Sequence, residues 1–408
     1  MKAITYNISF YAVVSLFFLW ALAHNLNPIL IPHLKHACRL SDMQSALVDS
    51  SFYIAYFLMA LPAGFLIQKW GYQKTIVFGL FLFAIGAFLF YPAAATLSYG
   101  FFLVALFIVA SGLTFLETAA NPYVSILGDP KTASQRLNFA QSFNGLGATL
   151  AAFLGGKFIL NDRPNDSNSL VGLDESLLIA QLKFEAASVQ IPYLFIGGLV
   201  LFMMIFFMRL PLPDIRNNYS LQGFSLKRLL AYPQLKAALI AQFFYVGAQV
   251  CLGSFFIRYT VQYTSLNQTE AAVYLSGALF LFMAGRFIGS WLMQFIAAPK
   301  LLFIYSLCNI ALLFLVIWGQ GITSVYALML VFFFMSIMFP TIFSLGIQNL
   351  GDDARFASSL LVMTIVGGAF LPLAMGAISD MSAIRFAFVV PAFCFGIIAW
   401  FGPPTSSG

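Results

Sequence analysis

The chain has 408 residues, of which 61% are hydrophobic and only 8% charged, with 47 phenylalanines and a formal net charge of +6. A water-soluble domain draws about a quarter of its residues from the charged set to cover its surface, so this composition excludes a soluble protein and places the chain in a bilayer. No basic stripe interleaves with aromatics in a soluble segment, so the positive balance reflects Lys and Arg gathered on one side of the membrane and is not a nucleic-acid footprint; the expected partner is membrane lipid.

A helix needs about 20 apolar residues to cross about 30 Å of hydrocarbon. Twelve such runs follow one another, near 9–33, 45–67, 75–93, 97–123, 136–160, 188–210, 235–262, 271–294, 300–318, 322–347, 356–378 and 386–402. Stretches such as FLFAIGAFLF are apolar on every face, whereas barrel strands alternate, so the expected fold class is an all-α membrane protein of twelve transmembrane helices.

The first run follows Lys2 in the manner of a cleavable signal, but it continues apolar through Leu30, long enough to be kept as a first span. It carries Trp20, His24, Asn25 and Asn27, then Pro28. Between spans 2 and 3, Gly64, Lys69, Gly71 and Lys74 are spaced like the loop signature of the major facilitator superfamily, with Gln68 where an acid is usual; a gating loop is expected there. Span 4 holds LETAANPYVSILG. An ionised carboxylate at mid-membrane costs at least about 2.5 to 3.5 kcal/mol, so Glu117 is expected to be protonated, paired or facing a watery cavity. Asn121 lies on the same helix face, and Pro122 removes a backbone donor beside it. Span 5 offers Asn138, Gln141 and Asn144, and span 7 offers Gln242, Tyr245 and Gln249, each set along one side of its helix.

Two polar segments interrupt the series, an outward loop at 161–187 and an inward linker at 211–234. The linker divides the chain into an N-terminal six-helix half, 1–210, and a C-terminal half, 235–408. Its Lys227-Arg228 pair suggests a short amphipathic helix on the membrane surface. Span 8 brings Arg286 and span 7 Arg258, both read as near enough to an end to snorkel. The cysteines, Cys38, Cys251, Cys308 and Cys394, have neither disulfide nor metal spacing, and no metal or other cofactor is expected.

Lys and Arg gather on one side of the connections (Lys2, Lys69, Lys74, Lys131, Arg136, Arg209, Arg216, Lys227, Arg228, Lys236, Lys300 and Arg355), which places both termini in the cytoplasm. Residues also recur between the halves. Pro122 to Gly128 answers Pro340 to Gly346 at an offset of 218, Arg136 answers Arg355 at 219, and Phe17-Phe18 answers Phe243-Phe244 at 226. Two pseudo-symmetric halves around a central site are a carrier architecture. Amides and a carboxyl around a cavity suit a polyhydroxy ligand, because each hydroxyl wants a donor and an acceptor; Trp20 is placed to stack on an apolar sugar face. Each amide has a plain alternative, since such groups also bond neighbouring membrane helices. For Glu117 that alternative is a bond to a nearby carbonyl.

FFLWALAHNLNPILIPHLK, LETAANPYVSILG, RLNFAQSFNGLGA, AQFFYVGAQ, PTIFSLGIQNLG and SSLLVMTIVGGA together resemble the fucose/proton symporter family of the major facilitator superfamily, over essentially the whole chain. The resemblance implies a twelve-helix fold with alternating access, Glu117 as the proton-coupling acid, and Gln141 and Asn144 as polar residues of the central cavity. The family's N-N-L-N-D in span 1 is here His24-Asn25-Leu26-Asn27-Pro28, and Phe339 stands where the pattern has tyrosine. The second acid is therefore lost, and His24 becomes the candidate second titratable group. The expected function is proton-coupled symport of a monosaccharide, L-fucose or a related hexose, by a monomer in the bacterial inner membrane. Alternatives are an uncoupled sugar facilitator or an exporter of lipophilic or cationic compounds. An enzyme is disfavoured, because no HExxH and no Ser/His/Asp set lies on a cavity face.

Overall fold

The structure, a computed structural model, describes residues 8–22, 42–96, 98–158, 175–210, 212–213 and 224–402. All regular structure among them is helical. Six helices come first: α1 (Ile8–Leu22), α2 (Asp42–Trp70), α3 (Tyr72–Thr96), α4 (Tyr99–Ile126), α5 (Ala133–Phe158) and α6 (Glu175–Arg209). After the four-residue α7 (Leu226–Leu229) come α8 (Pro233–Tyr263), α9 (Gln268–Leu292), α10 (Ala298–Trp318), α11 (Ile322–Met335) and α12 (Met338–Ile347). The chain closes with α13 (Ala354–Met363), α14 (Gly367–Met381), α15 (Ile384–Ala387) and α16 (Val389–Phe401).

Every one of the twelve predicted runs contains a described helix, and among the described residues ten stretches are long and apolar enough by themselves to cross a membrane. The two outside that count are α1, short in its described part, and α5, where Arg136 and the amides dilute the apolar character. The protein is a multi-pass membrane protein.

Two expectations need correction. The segment 161–187 is not loop throughout, because α6 already begins at Glu175. The linker helix is a single turn, too short to lie on a membrane. Leu229 is buried, and Arg228 grips the Asp353 carboxylate with two bonds of 3.1 and 2.7 Å, where the Tyr232 hydroxyl also donates at 3.1 Å. The runs 322–347 and 356–378 stand as spans but are broken within, the first at Ser336 and Ile337 and the second by a 3-10 turn at Thr364–Val366.

The break at Ser336 has a local cause. Pro340 lacks an N–H and cannot bond the carbonyl four residues back, which is that of Ser336. Pro122 in α4 frees the Thr118 carbonyl in the same way. These prolines belong to the two matching motifs, and the matches extend to geometry: each motif runs into a 3-10 turn, Pro130–Thr132 or Gly351–Asp353, and then the helix carrying Arg136 or Arg355. Gly147 of α5 lies against the Phe18 carbonyl of α1, and Gly367, opening α14, lies against that of Phe243 in α8.

Among the first six helices, α3 packs on α4 and α6, and α2 on α4; among the later ones, α8 packs on α12, α14 and α16, and α11 on α9 and α10. Gly79 and Gly112 let α3 and α4 approach so closely that a Cβ on Gly112 would stand 2.7 Å from the Gly79 carbonyl oxygen, the small-residue packing expected where lipid supplies no hydrophobic drive. Across the bundle, α5 meets α9 and α12, while α13 meets α2 and α4. This seam lies toward the end that carries Lys69, Lys74, Lys131, Arg136 and Arg355, called here the basic end.

Candidate functional site

Glu117 sits in a buried polar cluster drawn from α2, α4, α5, α9 and the break between α11 and α12. On α4, one of its carboxylate oxygens, Oε1, accepts from the Tyr56 hydroxyl of α2 at 3.2 Å. One turn on, Asn121 Oδ1 accepts from Gln141 Nε2 of α5 at 3.2 Å. The Gln141 carbonyl accepts from Arg286 of α9 at 2.7 Å, and the same guanidinium nitrogen reaches Asn144 Oδ1 at 3.3 Å. Arg286 Nε donates to the Ser336 carbonyl at 3.1 Å, the group that Pro340 leaves free, and the guanidinium lies 4.4 Å over the Phe282 ring. Arg286 is only 4% exposed, so the snorkelling expectation fails for it: the break in the α11–α12 run provides an inward acceptor, and Gly285 permits the approach to Phe333 and Ser336. Arg258 is exposed on its helix, as expected, with its guanidinium 5.1 Å from the Phe255 ring.

A second feature marks the same place. Buried polar groups are nearly always bonded, and one left unpaired costs about 1–3 kcal/mol. Among the described residues, the buried side-chain atoms without a partner are Glu117 Oε2, Thr118 Oγ1, Asn121 Nδ2, Asn138 Oδ1, both amide atoms of Gln242, Tyr245 Oη and Arg385 Nε. All but the last lie on α4, α5 and α8, the helices that the amide pattern singled out. Three helices that leave their own buried polar groups unpaired would be poor design for stability; the same atoms are what a hydroxyl-rich ligand needs.

Not every predicted residue joins the cluster. Asn138 belongs to the seam, its Nδ2 donating to the Ser134 carbonyl at 2.8 Å and to Thr341 Oγ1 of α12 at 3.0 Å. Gln242 and Tyr245 are fully buried on α8, with the Tyr245 ring 6.3 Å from that of Phe339, and Gln249 is half-buried further along. Trp20 is buried and packs on Phe17 of its own helix, ring centroids 4.3 Å apart. His24, Asn25 and Asn27, with Pro28, lie outside the described residues, as does Cys38.

In the loop signature, Gly71 takes a φ of +84°, a left-handed conformation that favours glycine. Lys69 and Lys74 are exposed, and a Cβ on Gly64 would collide with Ser359 Oγ of α13. The rest of the seam is neutral. Ser134 and Ser344 hydroxyls meet at 2.6 Å, Ser290 donates to the Gln135 carbonyl at 3.1 Å, and Ser358 of α13 donates to the freed Thr118 carbonyl at 3.0 Å. Beneath it, a cavity of about 290 Å³ is lined by Tyr72, Ser125, Ser344, Gln348 and the Asp352–Arg355 pair, among others.

Tyr56, Arg286 and Ser358 were missed as site residues. The signal was present in part: a proline at position i frees the carbonyl at i−4, which marks Thr118 and Ser336 as acceptors in search of donors. Which donors reach them depends on how the helices pack. No group of three or more histidine, cysteine or acidic side chains among the described residues is arranged to hold a metal ion.

A multi-pass helical bundle with a buried polar cluster between helices that also form a sealed seam defines a membrane carrier. Within that class, the chain belongs to the fucose/proton symporter family of the Major Facilitator Superfamily, whose family model matches residues 9–363. It is 43% identical to the L-fucose-proton symporter of Escherichia coli (strain K12), over 97% of this chain and 92% of that protein. It is 38% identical to a glucose/galactose transporter of Brucella abortus, over 97% and 94% respectively. The crystal structure of the Major Facilitator Superfamily transporter FucP in the outward conformation superposes with a TM-score of 0.93 at 41% identity, covering 99% of this chain and all of that one.

Proposed function

We propose that this protein carries a monosaccharide together with a proton across the bacterial inner membrane, as a monomer with both termini in the cytoplasm. The observation that carries the reading is the set of unpartnered buried polar atoms on Glu117, Thr118 and Asn121 of α4 and on Gln242 and Tyr245 of α8. Two six-helix halves, 1–210 and 235–408 joined by the linker 211–234, rock about this site. The neutral seam at the basic end opens toward the cytoplasm and closes toward the outside.

In this reading Glu117 holds the proton. Asn121, Gln141 and Asn144 face the sugar from the first half, and Gln242 and Tyr245 from the second. Arg286 ties α5 to the broken α11–α12 run. Proton and sugar each favour the state the other binds, as thermodynamic linkage requires. Loading therefore permits the inward swing, and loss of the proton on the cytoplasmic side releases the sugar. Relatives carry L-fucose in one case and glucose or galactose in another, so the hexose itself is settled by competition.

The test is uptake of radiolabelled L-fucose into proteoliposomes under an imposed proton gradient, with unlabelled galactose, glucose and N-acetylglucosamine as competitors. Wild type accumulates sugar against its gradient. Glu117→Gln loses accumulation and keeps sugar exchange. Equal accumulation by both proteins would remove Glu117 from the coupling step, and no uptake of any hexose would remove the sugar.

A further inference from the structure

The carboxyl group of Glu117 has two oxygens in unlike surroundings. Oε1 accepts from Tyr56 Oη at 3.2 Å, while Oε2 is buried and has no partner. Tyr56 is itself 6% exposed, and the titratable and charged groups that act on the pair are Tyr53, from the same helix, and Arg286, from α9. Arg286 spends its described hydrogen bonds on α5 and on the Ser336 carbonyl and makes none to Glu117.

Building on the reading that Glu117 carries the proton, we infer that Tyr56 is a positioning residue that orients the Glu117 carboxyl through Oε1, so that Oε2 is the oxygen that takes up and releases the transported proton. A phenol can donate to a carboxylate and equally to the carbonyl oxygen of a carboxylic acid, so the Tyr56 bond persists through the cycle and fixes the group's rotation. The added proton forms an O–H bond at Oε2 and leaves by the same atom; no other bond changes.

The location of Tyr56 gives the arrangement a mechanical consequence. It stands on α2, the helix whose Gly64 lies against Ser359 and Phe356 of α13. Ser358 of α13 bonds the carbonyl of Thr118, the residue after Glu117. The turn of α4 that bears the proton is thus held by α2 through a side chain and by α13 through the backbone, and these two helices form part of the seam. Parting α13 from α2 and α4 loosens the frame that orients the carboxyl.

Two measurements test the role. In proteoliposomes, Tyr56→Phe keeps the ring and its packing but not the hydroxyl. It is expected to lower gradient-driven accumulation at least about tenfold while sugar exchange falls less than about threefold; a merely structural side chain would lower both together. Infrared difference spectroscopy reads the bond directly, without transport. The protonated carboxyl band, identified by its loss in Glu117→Gln, moves to higher wavenumber in Tyr56→Phe, because a carbonyl that loses a hydrogen bond stiffens. An unmoved band, or equal losses of accumulation and exchange, overturns the assignment. Absence of any Glu117 band in wild type would instead count against Glu117 as the proton carrier, and so separates failure of the broader reading from failure of this one.

Discussion

Gly64 is where a single methyl group should alter the balance between the two faces of the carrier. In the closed seam a Cβ at this position would overlap Ser359 Oγ, and would stand 3.2 Å from Phe356 Cδ1 and 3.4 Å from Ser359 Cβ. Alanine is accommodated if the Ser359 hydroxyl turns away, which sacrifices its 3.3 Å bond to the Arg355 carbonyl and costs about 1 kcal/mol. Valine adds methyl groups against the Phe356 ring and Ser359 Cβ, where no rotation helps, and overpacking of that kind costs about 1–3 kcal/mol more. A total of about 2–4 kcal/mol against the closed state shifts the equilibrium by about 30-fold to about 700-fold. The assay is the rate at which Ser344→Cys, at a seam position 2% exposed, reacts with an impermeant maleimide in inside-out vesicles, in a background without the 4 native cysteines. Labelling should quicken modestly with Gly64→Ala and strongly with Gly64→Val. Valine labelling at the parent rate would refute the reasoning, since the α2–α13 approach would then not gate access.

Three further outcomes are expected. Arg286→Met removes three bonds from a charged donor, worth about 1.5–3 kcal/mol each before the desolvation of the buried guanidinium is credited back, so a net loss of about 2–4 kcal/mol should slow sugar exchange at least about 30-fold; Arg286→Lys should not restore it, since one ammonium cannot reach acceptors on both α5 and the α11–α12 break. Recovery with lysine would mean that only the charge matters. Gln242→Leu relieves two unpartnered buried atoms and should raise the thermal midpoint in detergent while raising the KM for sugar at least about tenfold; a lower midpoint would show that the amide is bonded within the protein. Asp353→Asn weakens the grip on Arg228 and Tyr232, a partly exposed contact worth about 1 kcal/mol, and should speed trypsin cleavage after Lys227 and Arg228, with unchanged cleavage counting against a docked linker.

Much of the site was legible because the bilayer makes polar residues conspicuous. Glu117, Asn121, Gln141 and Asn144 stand out in apolar runs, and the structure joins the last three through one another and Arg286. Asn138 was read with them because it shares their helix face, yet it lies nearer the basic end and bonds Thr341. Arg286 was read as snorkelling because distance to a helix end can be counted along a chain, while the acceptor opposite cannot.

The sequence by itself determined the solvent, the helices and the repeat, since transfer of apolar residues into lipid and the internal bonding of the backbone are local matters of composition and spacing. It also marked the two prolines that free the Thr118 and Ser336 carbonyls. Only the tertiary structure decided which donors answer them, Ser358 and Arg286, and which hydroxyl meets Glu117. Those pairings join residues on different helices, Tyr56 with Glu117 and Ser358 with Thr118, and their geometry follows from how α2, α4 and α13 pack against one another, which no single helix encodes.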